Sequence, residues 1–106
     1  MVKLLATTSA QRLPNLLDLP TVAELIPGFA GSGWLTLMAP TGTPDEIVQK
    51  VSRDLRAVLS QRTLQTRFEQ LGIYVRPMTP AETAAFIHSQ QELWTPVVKQ
   101  LGLASH

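Results

Sequence analysis

No cysteine occurs in this chain of 106 residues, which excludes disulfides, thiolate nucleophiles and cysteine-based metal sites. Charge is also sparse. Charged residues make up 16%, and nine basic against eight acidic side chains leave a net charge of +1. They are scattered singly, so no basic stripe exists to neutralise phosphates, and nucleic acid is not an expected partner. The two histidines, His88 and His106, have no companion ligands at metal spacing, so no metal site is expected. No apolar run approaches the ~20 residues of a membrane span. The opening Met1-Val2-Lys3-Leu4-Leu5-Ala6 stops at Thr7, too soon for the apolar stretch of a signal peptide, so none is read here. Ser9, Ser32 and Ser60 have no Gly-x-Ser-x-Gly context and no histidine and acid arranged around them. Gly28, Gly31 and Gly33 do not lead from a strand into a helix as a phosphate cradle would. Glu46 and Glu82 sit at helix starts rather than as a catalytic pair. The expectation is a chain that is not an enzyme and needs no cofactor.

What is present is a globular composition, 44% apolar, in one domain's worth of chain. A domain of this size buries roughly 65% of its unfolded surface. So little charge on so small a chain implies apolar surface intended for a partner.

Val2–Thr7 reads as a short buried strand closed by Thr-Thr-Ser, and the segment around Pro14, Asn15 and Asp18 as loop. Thr21 can cap a single turn, Val22–Leu25, which Pro27-Gly28 ends. Trp34–Ala39 alternates large and small side chains up to Pro40, as a strand does. Thr43-Pro44-Asp45-Glu46 has the pattern of a capping box with proline in the first helical position. The helix it opens should run to about Ser60 with Ile47, Val48, Val51, Leu55, Val58 and Leu59 on one face. Fully covered, those side chains would contribute roughly 10 kcal/mol gross, far more than the ~1 kcal/mol of a cap. A second helix, Thr63–Leu71, ends at Gly72. Ile73–Met78 reads as an edge strand because Pro77 cannot donate to a ladder. Thr79-Pro80-Ala81-Glu82 repeats the capping pattern and opens a long helix that buries Trp94, is kinked by Pro96, is recapped at Thr95 and ends at Gly102. The expected fold is therefore α/β, a small mixed sheet of about three strands flanked by about three helices.

One ordered set of motifs is more specific than any of these elements. Leu5-Ala6-Thr7-Thr8-Ser9 is followed by Arg12 and Pro14, then Leu19-Pro20-Thr21-Val22-Ala23-Glu24, Pro27-Gly28-Phe29, Trp34 and Ala39-Pro40-Thr41-Gly42-Thr43-Pro44. Gly72, Thr79-Pro80-x-Glu82, Phe86, Trp94 and a closing Leu-Gly-Leu complete it. In this order the chain resembles the C-terminal part of the Bug/TctC family, the extracytoplasmic solute receptors of tripartite tricarboxylate transporters. It departs from the family in having Leu25-Ile26, where members often carry a glycine, and in Pro96. The resemblance implies a periplasmic location and part of a lobe of a type II-like periplasmic binding protein. The whole receptor would close two lobes on a small carboxylate and be read by membrane permease subunits. Residues 1–32 would be the end of one lobe and a Pro/Gly-rich crossing segment, and residues 33–106 the C-terminal α/β portion of the other. The principal Gly/Ser-rich ligand loops of such receptors have no counterpart in this chain. It is therefore expected to be a truncated receptor that binds poorly alone.

The candidate ligand contacts are Thr7, Thr8 and Ser9 at the end of the first strand, where open α/β sheets bind ligands. Arg12 is a possible bidentate partner of an anion, and Trp34 a possible wall of the cleft. Each has a plainer alternative: strand-end capping for the hydroxyls, a solvated loop arginine, and a packed tryptophan. A different reading of the same residues is a self-associating module, a homo-oligomer formed by exchange of the Met1–Gly33 arm.

Overall fold

Helices supply nearly all the regular structure of this protein, described by a computed structural model over residues 1–103. α1 spans Asp45–Leu59, α2 spans Arg62–Gln70 and α3 spans Pro80–Gln100. A 3₁₀ turn, Val22–Glu24, is the remaining element. The described residues fall into two compact units, Met1–Thr36 and one that begins at Leu37.

The expected three-stranded sheet does not form. Val2–Thr7, Trp34–Ala39 and Ile73–Met78 all lack strand pairing, and the β contact among the described residues is an isolated parallel bridge between Thr7 and Thr21. The reason is physical: a strand is stabilised by a partner backbone and a covered face. Beyond the Thr7 bridge these segments have no paired strand among the described residues, and side chains such as Val2, 91% exposed, and Leu35, 89% exposed, lie uncovered. Their periodicity is real, but periodicity without a neighbour leaves extended chain.

Within the first unit, backbone bonds draw distant residues together. The Thr7 amide donates to Pro20 O at 3.0 Å, Val22 donates to Thr7 O at 2.8 Å, and Gly31 donates to Thr8 O at 2.9 Å. Phe29 N–H closes a turn on Ile26 O with Gly28 at φ 82 in its third position, the conformation that Pro-Gly favours in a type II turn. Thr21 is the fully buried side chain of the described residues, and no hydrophobic one is buried among them.

The second unit is a set of helices, with α1 against both α2 and α3. At α3 the capping box forms as expected: Thr79 N–H donates to Glu82 Oε2 at 2.7 Å, and Glu82 N–H donates back to Thr79 Oγ1 at 3.2 Å. At α1 it does not. Thr43 Oγ1 donates to Pro40 O at 2.8 Å and its amide bonds the same carbonyl, so the hydroxyl closes the preceding turn instead of capping the helix. α2 and α3 end in matching Schellman motifs. Ile73 N–H reaches Phe68 O and Gly72 N–H reaches Glu69 O; Leu103 and Gly102 repeat this on Val98 and Lys99. Gly72 and Gly102 carry the required positive φ, 73° and 66°. α3 continues through Pro96 to Gln100 rather than being recapped at Thr95.

The expected burial of the helical faces is also corrected. On α1, Ile47, Val51, Leu55 and Val58 all remain substantially exposed, as do Trp94 and Val97 on α3 and Leu101 just beyond it. A folded monomer of this mass exposes about 5,800 Å², whereas this chain exposes 9008 Å². Amphipathic helices have formed without the layer that would cover them.

Candidate functional site

The segment Thr7–Arg12 and the 3₁₀ turn bring four of the five residues singled out in the sequence into one bonded set. Thr7 and Ser9 are half-buried, and Thr8 and Arg12 are exposed. Ser9 Oγ donates its single hydrogen to Gln11 O at 2.8 Å. The 2.9 Å contact between Thr7 Oγ1 and Ser9 Oγ therefore has Thr7 as donor. Both hydroxyl hydrogens are committed, and Thr8 carries the one hydroxyl of the three with no hydrogen bond among the described residues. Its carbonyl is fixed by Gly31, so its side chain is displayed from an anchored backbone.

Arg12 does not stand as a solvated loop cation. Nε donates to Glu24 Oε1 at 2.8 Å, Nη2 donates to Glu24 Oε2 at 2.7 Å, and Nη1 donates to Leu17 O at 2.8 Å. Glu24 Oε1 also accepts the Thr21 amide at 3.1 Å. These bonds hold the Glu24 carboxyl far below its usual range, at about 2, with the Arg12 guanidinium the largest cause and the Thr21 amide next. Arg12 is raised in turn, first by its hydrogen bond to Glu24 and then by that charge. Both side chains are partly open to solvent, 43% and 42% exposed. Trp34 lies in the same unit and is 40% exposed.

Thr21, Glu24 and Gly31 organise this set, and the sequence flagged them only as a cap, a motif residue and a glycine outside any phosphate cradle. The spacing Thr21-x-x-Glu24 is that of a capping box, and a lone arginine upstream of it was the available clue to an ion pair. The second unit contains a groove of about 400 Å³ whose lining includes Arg76, Met78, Glu82 and Phe86. Its carboxylate is engaged by Thr79, whose amide and hydroxyl hold Glu82 below its usual pKa. His88 lies on α3 with Nδ1 3.5 Å from Glu92 Oε1, and no cluster of three potential metal ligands exists among the described residues. His106 lies outside them.

The chain was compared with known proteins. Residues 1–103 match the family described as "Tripartite tricarboxylate transporter family receptor" (TctC). Protein BugT of Bordetella pertussis is 31% identical over 102 residues, covering 95% of this chain and 31% of that protein. A UPF0065 protein in the tcbD-tcbE intergenic region of Pseudomonas sp. strain P51 is 30% identical over 104 residues, 96% of this chain and 31% of its own length. A UPF0065 protein from the TAR-I ttuE-ttuC' intergenic region of Agrobacterium vitis is 32% identical over 101 residues, 92% of this chain and 29% of that protein. The chain thus spans about a third of the length of the curated relatives it matches. No solved structure matches it. Matched along all its described length, the chain belongs to the tripartite tricarboxylate transporter receptor family.

Proposed function

We propose that this chain supplies part of a periplasmic, non-enzymatic receptor that holds a small carboxylate and presents it to the membrane subunits of a tripartite transporter. The observation that carries this reading is the family match over residues 1–103. Geometry adds a specific donor. Of the three clustered hydroxyls, Thr8 retains its hydrogen, while Thr7 and Ser9 hold the turn that displays it. Trp34, in the same unit, would form the wall of a cleft over that turn. A carboxylate site normally encloses most of its ligand, and an open turn with one hydroxyl does not, so the chain alone should bind weakly.

Two-dimensional amide NMR with citrate, succinate, glutamate and terephthalate tests this. The expected result is a millimolar response at Thr8 and Ser9 for at least one acid, lost in Thr8→Ala. Silence towards all four acids would remove the receptor reading. Micromolar affinity would instead overturn the claim that the chain holds only part of a site.

A second reading, self-association, is favoured by one observation: the chain exposes about 3,000 Å² more than a folded monomer of its mass should. Exchange of the Met1–Gly33 arm would cover part of it. The expected outcome is a dimer by light scattering, and a monomer at high micromolar concentration would exclude it.

A further inference from the structure

We infer that Arg12 is a positioning residue, a clamp on Glu24 that fixes the Thr7–Ser9 turn through Thr21, and does not itself bind the ligand's carboxylate. The inference rests on the receptor reading for the ligand, but its structural half stands without it. Four links make the argument. The planar fork of Arg12 meets Glu24 through two parallel bonds, at 2.8 and 2.7 Å, the arrangement in which guanidinium and carboxylate match best. A third donor is spent on Leu17 O, so the guanidinium is held from two directions and closes the loop between residues 12 and 24.

Glu24 passes the constraint on. Its Oε1 takes the Thr21 amide at 3.1 Å, at the head of the 3₁₀ turn. Thr21 is 1% exposed, and the backbone on either side of it makes both bonds to Thr7: Pro20 O accepts from Thr7 N–H, and Val22 N–H donates to Thr7 O. Arg12, Glu24, Thr21 and Thr7 thus form one chain of bonds ending beneath the displayed hydroxyl of Thr8. An incoming carboxylate meets a neutral pair at residues 12 and 24 rather than a free cation. Taking the guanidinium would require it to displace Glu24.

The two roles predict opposite results for one substitution. If Arg12 were a ligand group masked by Glu24, Glu24→Gln would release it and tighten acid binding. If Arg12 is a clamp, Glu24→Gln and Arg12→Gln do the same damage. Amide hydrogen exchange on the whole chain, with no acid present, gives the structural readout. Each single substitution should speed exchange at Thr7 and Val22 by up to about fivefold, the range for a partly exposed ion pair. The double variant should be no faster than either single, because the pair acts as a unit. Arg12→Lys should recover only part of the protection, having a point charge in place of the fork.

Acid titration at the Thr8 amide gives the second readout. Both glutamine variants should weaken the response to a similar extent. Tighter binding by Glu24→Gln with loss in Arg12→Gln would overturn the clamp, as would exchange rates unchanged in both variants. If the unsubstituted chain responds to no acid, the receptor reading fails, and the exchange rates alone decide whether Arg12 holds the turn.

Discussion

The two units of this chain are ordered by different means. In the unit Met1–Thr36, the decisive contacts join residues far apart in sequence: Thr7 to Pro20 and Val22, Thr8 to Gly31, Arg12 to Glu24. In the unit that begins at Leu37, order is local. Helices α2 and α3 are closed by bonds three to five residues long, the Thr79–Glu82 box and the glycine-ended Schellman motifs at Gly72 and Gly102, and α1 ends on the Ser60 amide bonded to Arg56 O. Among the described residues, neither unit buries a hydrophobic side chain. Local bonds are sufficient to shape a helix in outline, but tertiary packing normally supplies most of its stability. The second unit should therefore respond to changes in intrinsic helix energetics, and the first to changes in its few cross-links.

The largest effect expected is at Pro96. It lies inside α3, has no amide to offer Glu92 O, and is about 3 kcal/mol less favourable there than alanine. Pro96→Ala should stabilise α3 by up to ~3 kcal/mol, seen as higher helicity by circular dichroism and slower exchange over residues 93–100. Exchange at Thr7 and Val22 should not move. A change there would show that the two units do not respond independently. Next in size is Gly72→Ala. At φ 73 a side chain costs about 1–2 kcal/mol, so the variant should lower the thermal midpoint and fray α2 from its C-terminal end. A steric clash is not the cause, since no atom lies within 4 Å of where the new Cβ would stand.

This contrast also explains what the amino-acid sequence disclosed. The three helices were legible to within two residues at most ends because caps, glycines and the 3.6-residue apolar period are local signals. Val2–Thr7 and Trp34–Ala39 were read as strands and, apart from the Thr7–Thr21 bridge, came out unpaired, because a strand's stability lies in a neighbour that periodicity cannot specify. The Thr43 capping box failed for a related reason: α1 begins at Asp45 with Pro44 in the cap position, and the turn through Gly42 at φ 88 directs the Thr43 hydroxyl back to Pro40 O. In the candidate site, the Thr7–Ser9 hydroxyls and Arg12 were marked as chemically able groups. That Glu24 occupies Arg12 was not legible, since it depends on closing a loop across Asp18 and Pro20.

The two threonine-proline helix starts give a smaller and more selective test. Thr79 Oγ1 accepts from the helix, so Thr79→Ala should destabilise α3 by about 1 kcal/mol. Thr43→Ala should leave α1 nearly unchanged and loosen only the Pro40–Thr43 turn, visible as faster exchange at Thr43 with unaltered helicity. Equal losses of helicity in the two variants would contradict the structural distinction between them.

The smallest effect expected is the acid response of the first unit. The folded state lowers the Glu24 pKa to about 2, so the carboxylate form is favoured by folding. The contribution is complete above the ordinary carboxylate range, falls away as pH drops from there towards 2, and is absent once Glu24 is protonated in both states. Arg12 stays charged throughout, and Asp18, whose charge also acts on Arg12, is the other acid near the pair. Exchange at Thr7 and Val22, corrected for the intrinsic pH dependence of amide exchange, should therefore accelerate between about pH 4.5 and pH 2. Glu24→Gln should abolish that step, while Asp18→Asn leaves it in place. Because both partners are partly solvated, added salt should shrink the step as well. A step that survives Glu24→Gln would assign the acid sensitivity to another group and leave the first unit held by its backbone bonds alone.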